Sequence, residues 1–294
     1  MDRTKDMFWI TGGLILLSAL PALLNIKAAP LELIANLRPQ IIILVVAFGC
    51  AAFTVGRHGA GTVAAVVAAL LLVTTPELFS KGPQPVARPT LTVIWCNVFK
   101  TDAVVKRLAD VARQRSSDVV ILGEVPKDLA RTRQALSDYP FVYGIENANE
   151  HGAVIFSRLP MNERPSPNLS KDAYPLTIVE TDQIRIVAMH PPVAVNRSAL
   201  EASKRMMAAA LQQTHTGRTL VVGDMNATPW SDRLRSLSAQ MIRLSPATSS
   251  TWFSSLPVLG LPIDHAFATT DLNASAEVGP GVGSDHLPLV VSVE

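Results

Sequence analysis

Cysteine is scarce in this 294-residue chain, and neither Cys50 nor Cys96 stands where a disulfide or a thiolate metal site would be expected. Cys50 falls in a long apolar run and Cys96 in a predicted strand. There is no internal repeat and no long low-complexity tract, which excludes a solenoid and a compositionally biased tail. Charge is missing from three stretches, residues 7–26, 39–56 and 59–76, which run 20, 18 and 18 residues without Asp, Glu, Lys or Arg. They hold almost all of the excess behind a mean hydropathy of +0.27.

Each of those runs is long enough to cross a bilayer as a helix, the second and third near the lower limit, so three spans are expected. Leu, Ile, Val and Ala occupy every face of the runs rather than one stripe, which argues against a buried helical hairpin. A cleaved signal peptide is disfavoured because two more apolar runs follow the first and no small-residue cleavage site is evident. Only Arg57 and His58 separate the second and third runs, a hairpin too tight to hold a domain. Three spans place the N-terminus and the C-terminal domain on opposite faces. Arg3, Lys5 and Arg57 mark one face and Lys27, Arg38, Lys81 and Arg88 the other, a balance that does not orient the segment by the positive-inside rule. Residues 77–90, with Pro83, Pro85 and Pro89, read as an extended tether of roughly 40 Å. The expected organisation is a three-helix transmembrane segment over 1–76, a Pro-rich linker over 77–90 and one large domain over 91–294.

Within that domain, apolar runs predict strands over 91–96, 118–123, 152–156, 176–180, 184–190, 219–222, 263–268 and 287–293. Helical spacing predicts helices over 103–113, with Asp102 as N-cap, over 126–137, with Pro126 in its first turn, and over 200–213. Strands outnumber helices and the alternation is irregular, which suggests two sheets packed face to face with helices outside. The stretch 252–261, WFSSLPVLGL, reads by preference as core packing, with an exposed rim as the alternative.

Polar residues recur where these strands end: Asn97, Glu124, His190, Asp224 with Asn226, Asp264, and Asp285 with His286. Singly, each has a local account as a turn or helix-flanking residue. Together they describe one chemistry, in which carboxylates gather a hard divalent cation, amides and imidazoles hold a phosphate, and an Asp-oriented His activates water.

The blocks WCNV, GEV, HGAVIFSRLP, AMHPP, GDMNATP, PIDHAF and GSDHLPLVV, in this order over 91–294, resemble the endonuclease/exonuclease/phosphatase superfamily. With the apolar runs ahead, the chain is similar to its membrane-bound bacterial branch. The resemblance implies an α/β fold, a four-layer α/β sandwich of the pancreatic-DNase type preceded by three transmembrane helices. It implies Mg²⁺, with Mn²⁺ as a substitute, held mainly by Glu124 and completed by Asn97 and Asp285. Asp224 would orient or deprotonate water, and Asn226 would bind the scissile phosphate. His286 would sit at the phosphate with its tautomer fixed by Asp264, and His190 would assist the phosphate or leaving group. Phe99 stands where many nucleases carry a second acid, Gly123 where Gln is common, and His265 where Tyr is frequent. His265 is read as structural, and His58, His151 and His215 as structural or solvent-facing.

Residues 91–294 carry 19 Lys and Arg against 20 Asp and Glu, net −1, which disfavours a polynucleotide-gripping surface, although Arg197, Lys204 and Arg205 offer a local patch. The expected function is a membrane-anchored, metal-dependent phosphoester hydrolase acting on a lipid-linked or membrane-proximal phosphate or pyrophosphate. A membrane-anchored nuclease is the alternative, and a catalytically dead scaffold is disfavoured by the full set of polar positions. The implied partners are a phosphate-bearing lipid or small molecule and the membrane, with no protein partner. The expected location is the bacterial inner membrane, with the domain extracytoplasmic.

Overall fold

The computed structural model describes residues 3–294 apart from 25, 27, 146–151, 168, 170–173 and 257. The N-terminal apolar runs form α1 (Arg3–Ser18), α2 (Leu20–Leu23), α4 (Arg38–Thr54) and α5 (His58–Val73), with the short α3 (Leu31–Ala35) between the first two runs. Among the described residues one stretch, Asp6–Leu23, is long and apolar enough to cross a membrane by length and composition. α4 and α5 are apolar but have 17 and 16 residues. At about 1.5 Å per residue each reaches about 25 Å, short of a hydrocarbon core about 30 Å thick. Of the three expected spans, one therefore meets the length. Ile41, Val45, Phe48, Ala64, Ala68 and Leu71 form the core of this bundle, while Ile43, Leu44, Val63 and Val66 are exposed on its outside. Arg38 is buried at one end, where its guanidinium donates to Thr74 O (3.0 Å), Thr75 Oγ1 (3.1 Å) and Ala22 O (2.8 Å). These bonds satisfy carbonyls that two helix C-termini leave open.

The rest of the chain runs β1 (Leu91–Asn97), α6 (Asp102–Gln114), β2 (Val119–Gly123), α7 (Leu129–Ala135), β3 (Phe141–Tyr143), β4 (Ala153–Ser157), β5 (Asn162–Arg164), β6 (Thr177–Glu180) and β7 (Arg185–Met189). It continues with α8 (Arg197–Gln212), β8 (Thr219–Asp224), α9 (Arg235–Ser238), β9 (Ile242–Arg243), β10 (Asp264–Ala268), β11 (Ala274–Val278) and β12 (Leu289–Val293). Two mixed six-stranded sheets result, in the orders β11-β12-β1-β2-β4-β3 and β5-β6-β7-β8-β10-β9. Period-two alternation explains their stacking. In β1, Val93 and Trp95 face the other sheet, in a core with Ile121, Ile186, Leu220 and Val222. Ile94 and Cys96 face the opposite way, onto Val104, Val105 and Leu108 of α6. The second sheet packs its outer face, through Val187, Val221 and Phe267, on Met206 and Met207 of α8. The layers are helix, sheet, sheet, helix, as expected.

Helix starts differ from expectation. Thr101 takes the N-cap position of α6, and Asp102 lies in its first turn, bonded to Arg131 (3.2 Å). α7 begins not at Pro126 but after Asp128, whose carboxylate accepts from Ala130 N (3.1 Å), a cap that Pro126 cannot supply. The Pro-rich stretch lies against the sandwich: Ser80 Oγ accepts from Arg243 (2.8 Å), Val86 N donates to Ser275 Oγ (3.0 Å) and Thr90 N to Val293 O (2.8 Å).

Candidate active site

Strand register brings the polar residues together at one end of both sheets. β1 and β2 are parallel with Asn97 opposite Gly123, so Asn97 and Glu124 leave neighbouring strand ends side by side. β8 and β10 are antiparallel with Asp224 opposite Asp264. Asn97 joins the two sheets, its amide donating to Glu124 Oε1 (3.1 Å) and Asp224 Oδ2 (3.3 Å). Two glycines make room. A Cβ on Gly223 would lie 1.8 Å from Met189 O, so β7 and β8 can approach only without a side chain there, and a Cβ on Gly123 would meet the Trp95 ring at 2.8 Å. Glu124 and Asn226 both have φ of 48°. Asn tolerates this left-handed backbone, whereas Glu is held in it at a cost of about 1 kcal/mol or more, an arrangement that recurs at functional sites.

Asp264 and His286 form a buried hydrogen-bonded pair. Nδ1 of His286 lies 2.8 Å from Asp264 Oδ2, and the other carboxylate oxygen of Asp264 accepts from Trp95 Nε1 (2.7 Å) across the inter-sheet core. Thr251 Oγ1 accepts from Asp264 N (3.0 Å). Nε2 of His286 is left facing Asp224 Oδ2 at 3.6 Å, and His190 Nε2 lies 3.4 Å from the same oxygen. Burial pushes the Asp224 carboxyl up from its ordinary value and the Asp264 charge adds to this, against the two histidines. Burial also works against charge on Asp264, but His286 and the Trp95 hydrogen bond bring it below the usual carboxylate range. His286 in turn is raised: burial opposes its charge, and Asp264 and Asp224 outweigh burial. Asn226 is set by its N–H on Asp224 Oδ1 (2.9 Å) and its amide on Pro191 O (3.0 Å). One amide hydrogen remains for a ligand.

Glu124, His190, Asp224, Asn226, Asp285 and His286 all line one cavity of about 700 Å³, while Asn97 and Asp264 lie behind it. The ligand chemistry fits a hard cation. Glu124 and Asp285 present carboxylate oxygens to the cavity, the donor type that Mg²⁺ and Mn²⁺ prefer. Asp224, Asp264 and His286 lie close enough for their ligand atoms to converge within 4.8 Å. Both Asp264 oxygens and Nδ1 of His286 are already engaged, so this trio is better suited to moving or holding a proton than to caging an ion. Phe99, which stands where many nucleases carry a second acid, is exposed and lines the cavity, so no carboxylate stands there.

Several participants carry no signal as isolated residues. Trp95 and Thr251 act on Asp264 from elsewhere in the fold, Ser284 Oγ donates to Asn97 O (2.7 Å), and Trp252 Nε1 donates to Asp285 Oδ2 (3.3 Å). Trp95 had one readable cue, since a buried indole N–H needs an acceptor. The stretch expected to be core is largely surface: Phe253, Leu256, Val258 and Leu259 are exposed, and Pro257 lies outside the described residues. Its backbone pairs Trp252 with both Leu261 and His286, which fixes it to the site and leaves its tip outside. His265 is buried away from the cavity, between Ser245 Oγ (3.0 Å) and Ala227 O (2.8 Å). His58 opens α5 and His215 is exposed, while His151 lies outside the described residues.

The endonuclease/exonuclease/phosphatase family model matches residues 94–286. The chain belongs to this family. Its members are phosphoesterases and nucleases that use divalent metals. No curated protein matches the sequence. Among solved structures, the chain is similar to an AP endonuclease from Archaeoglobus fulgidus, at 15% identity and TM-score 0.55, over 70% of this chain and 100% of that one. An endonuclease/exonuclease/phosphatase from Bacteroides vulgatus gives 16% and 0.54 over 69% and 98%. A humanised TDP2 of D. rerio gives 14% and 0.53 over 69% and 98%. At these identities the likeness is one of fold.

Proposed function

We propose that the chain is a membrane-anchored, divalent-metal-dependent phosphoester hydrolase of the membrane-bound bacterial branch, acting on a lipid-linked or membrane-proximal phosphate or pyrophosphate. The observation that carries this reading is the cavity itself. Its floor holds the carboxylates, imidazoles and amide of a phosphoesterase, and no Lys or Arg is among the described residues that line it. A polynucleotide brings phosphates on both sides of the scissile bond, and proteins that bind one neutralise them with cations.

Glu124, with Asn97 and Asp285, would hold Mg²⁺ or Mn²⁺, which when bound supplies Lewis-acid polarisation of a phosphoryl oxygen. The remaining steps belong to the chain. Asp264 accepts from Nδ1 of His286 and so presents Nε2 toward Asp224 and the phosphate. Asp224 orients or deprotonates the attacking water, Asn226 donates its spare amide hydrogen to a phosphoryl oxygen, and His190 flanks Asp224 on the other side. In this reading α1, α4 and α5 embed in the inner membrane as three short spans, their exposed outer side chains in contact with lipid, and the sandwich faces outward.

The fold of the AP endonuclease supports a nuclease as the second reading. Purified full-length protein decides between them. Hydrolysis of long-chain isoprenyl or diacyl phosphates in micelles, dependent on Mg²⁺ and abolished by EDTA, is expected to outpace cleavage of plasmid DNA. Faster DNA cleavage with no gain from the lipid chain would make the protein a nuclease. Orientation is checked separately with C-terminal fusions: an alkaline phosphatase reporter is expected to be active and a cytoplasm-dependent fluorescent reporter dark.

A further inference from the structure

The segment between the first two apolar runs has two faces that do different things. Glu32 and Asn36, four residues apart and so on one side of a helical turn, are both buried against the sandwich. Glu32 Oε1 accepts from Ser231 Oγ and from Arg233 Nε (2.9 Å). Asn36 Oδ1 accepts from Thr228 Oγ1 (2.8 Å), and its carbonyl accepts from Trp230 Nε1 (3.1 Å). The loop gripped in this way begins at Asn226, whose carbonyl also accepts from Arg233 Nη2. One position on, Leu33 and Leu37 form the adjacent side, and both line the cavity that holds the catalytic cluster. Leu37 is 40% exposed, an apolar side chain open to the cavity rather than packed. The same cavity is lined by Phe99, Val193 and Val195, all exposed. Gln40, at the start of α4, ties the 252–261 loop down through Leu259 O (3.3 Å) and Gly260 O (3.2 Å).

The membrane segment thus supplies one wall of the active-site cavity, and buried polar bonds fix that wall in place. We propose that Leu33 and Leu37, together with Phe99, Val193 and Val195 of the same cavity, form a subsite for the hydrocarbon chain of the substrate next to its phosphate. On this basis the preferred substrate is a phosphate carrying an alkyl, acyl or isoprenyl chain that enters between the membrane segment and the sandwich. Three observations select that occupant. The lining is apolar next to a phosphate-handling floor and lacks Lys and Arg among its described residues, so the part of the ligand beyond the phosphate is uncharged. The wall belongs to the same chain segment as helices that carry an exposed apolar exterior, the chain's most lipophilic region. Finally, the wall is held by Glu32, Asn36 and Arg233, with relative exposures of 3%, 4% and 2%, so it is a built feature rather than a loosely resting helix. The inference rests on the phosphoester-hydrolase reading for its floor and adds the residues that select the substrate.

The test uses full-length protein in detergent micelles and the variants Leu33→Gln and Leu37→Gln, which keep side-chain length and helical propensity but remove the apolar surface. Ile43→Gln, on the outside of α4, is the control. Two measurements are made. The first is the ratio of kcat/KM for hexadecyl against butyl p-nitrophenyl phosphate, with the corresponding alkyl monophosphates run in parallel. The second is binding of hexadecylphosphonate and butylphosphonate by calorimetry in the His286→Ala background, which needs no turnover. Each Leu variant is expected to lower the hexadecyl-to-butyl ratio about tenfold in both measurements, as expected for loss of roughly one and a half buried methylenes of contact. The control should leave it unchanged. An unchanged ratio in both Leu variants overturns the subsite, whether or not the wild type prefers the long chain. If hexadecylphosphonate binds with the expected Leu dependence but no phosphoester or DNA is hydrolysed, the subsite stands and the hydrolase reading fails.

Discussion

In the sandwich, Val93, Ile121, Ile186 and Val222 are sealed between two sheets, whereas in the bundle Ile43, Leu44, Val66 and Leu70 of α4 and α5 are exposed on the outer surface. The two regions use the same kinds of side chain turned in opposite directions. One region satisfies its apolar surface internally, and the other leaves part of its apolar surface on the outside. Between them lies a seam that is neither: Glu32, Asn36, Thr228, Ser231 and Arg233, all buried and hydrogen-bonded. In the proposed function, chemistry belongs to the sandwich, lipid contact to the bundle and coupling to the seam, and each can be broken separately.

The largest effect is expected in the sandwich. Glu124→Gln and His286→Ala should each lower kcat/KM by about a thousandfold or more while the protein still folds, because in the proposed mechanism Glu124 holds the metal and His286 acts at the phosphate. Asp264→Asn should cost less, about a hundredfold, and should add little once His286 is gone, since in the proposed mechanism Asp264 acts only through the imidazole it bonds. The measurement is a double-mutant cycle on kcat. If the two losses multiply, Asp264 and His286 are independent and that part of the proposed mechanism is wrong.

Breaking the seam comes next. Glu32→Ala leaves the fully buried guanidinium of Arg233 without its carboxylate, a loss of about 3–5 kcal/mol in folding stability for an uncompensated buried charge. Replacing both partners, as Glu32→Leu with Arg233→Met, should recover most of it, because the desolvation cost leaves with the charges. Removing Asp138 from its exposed pair with Arg113 (2.9 Å) is the internal comparison and should cost under about 1 kcal/mol. Chemical denaturation of the full chain in detergent reads all three. A seam variant no worse than the surface variant would mean that the bundle and the sandwich are not coupled through Glu32.

A smaller, pH-dependent effect sits inside the sandwich. Burial and the Arg243 charge lower His265 from 6.5 to about 4. The folded ring stays neutral where the unfolded ring takes a proton, so below pH 6.5 the unfolded state binds more protons. Stability therefore falls as pH drops from 6.5 toward 4, by on the order of 3 kcal/mol across that window. His265→Gln keeps a donor for Ala227 O and does not titrate, so its stability should show a shallower slope between pH 6.5 and 4. Equal slopes for the two proteins would show that another group carries the acid sensitivity.

Sequence reading succeeded where the signal was local. A buried strand announces itself by an apolar run and its end by the acid or amide that follows, which is how Asn97, Glu124 and Asp224 could be placed at strand ends from the sequence alone. β3, β5 and β9 went unread because two- or three-residue edge strands are too short to show a period. β11 was missed because Ala, Ser and Glu dominate it. The seam was illegible for a different reason. Glu32 and Asn36 look like ordinary loop residues between apolar runs, and their meaning lies in Ser231 and Arg233 for Glu32 and in Thr228 and Trp230 for Asn36, some two hundred residues away. The exposure of Leu256 and Val258 was hidden for the same cause, since composition does not say which side of a loop meets the protein.

The smallest folding effect is expected on the outside of the bundle, and there the contrast between the regions becomes sharpest. Ile43 and Val66 touch little protein, being 62% and 54% exposed, so Ile43→Ser or Val66→Ser removes few contacts that folding creates. In detergent the unfolding free energy should stay within about 0.5 kcal/mol of the parent. Val93→Ser, at 0% exposure in the inter-sheet core, removes buried apolar surface and buries a hydroxyl, and should cost about 2–4 kcal/mol. Transfer to vesicles should rank the same variants the other way. Ile43→Lys and Val66→Lys together place two ammonium groups where the proposed lipid contact is made, at about 2.5–3.5 kcal/mol each near a helix centre, and should shift the protein from vesicles to the soluble fraction on flotation. Val93→Ser should float as the parent does. Flotation that ignores the paired lysines would mean that the outer face of α4 and α5 meets protein or water rather than lipid, and the short helices would then be a docking surface rather than spans.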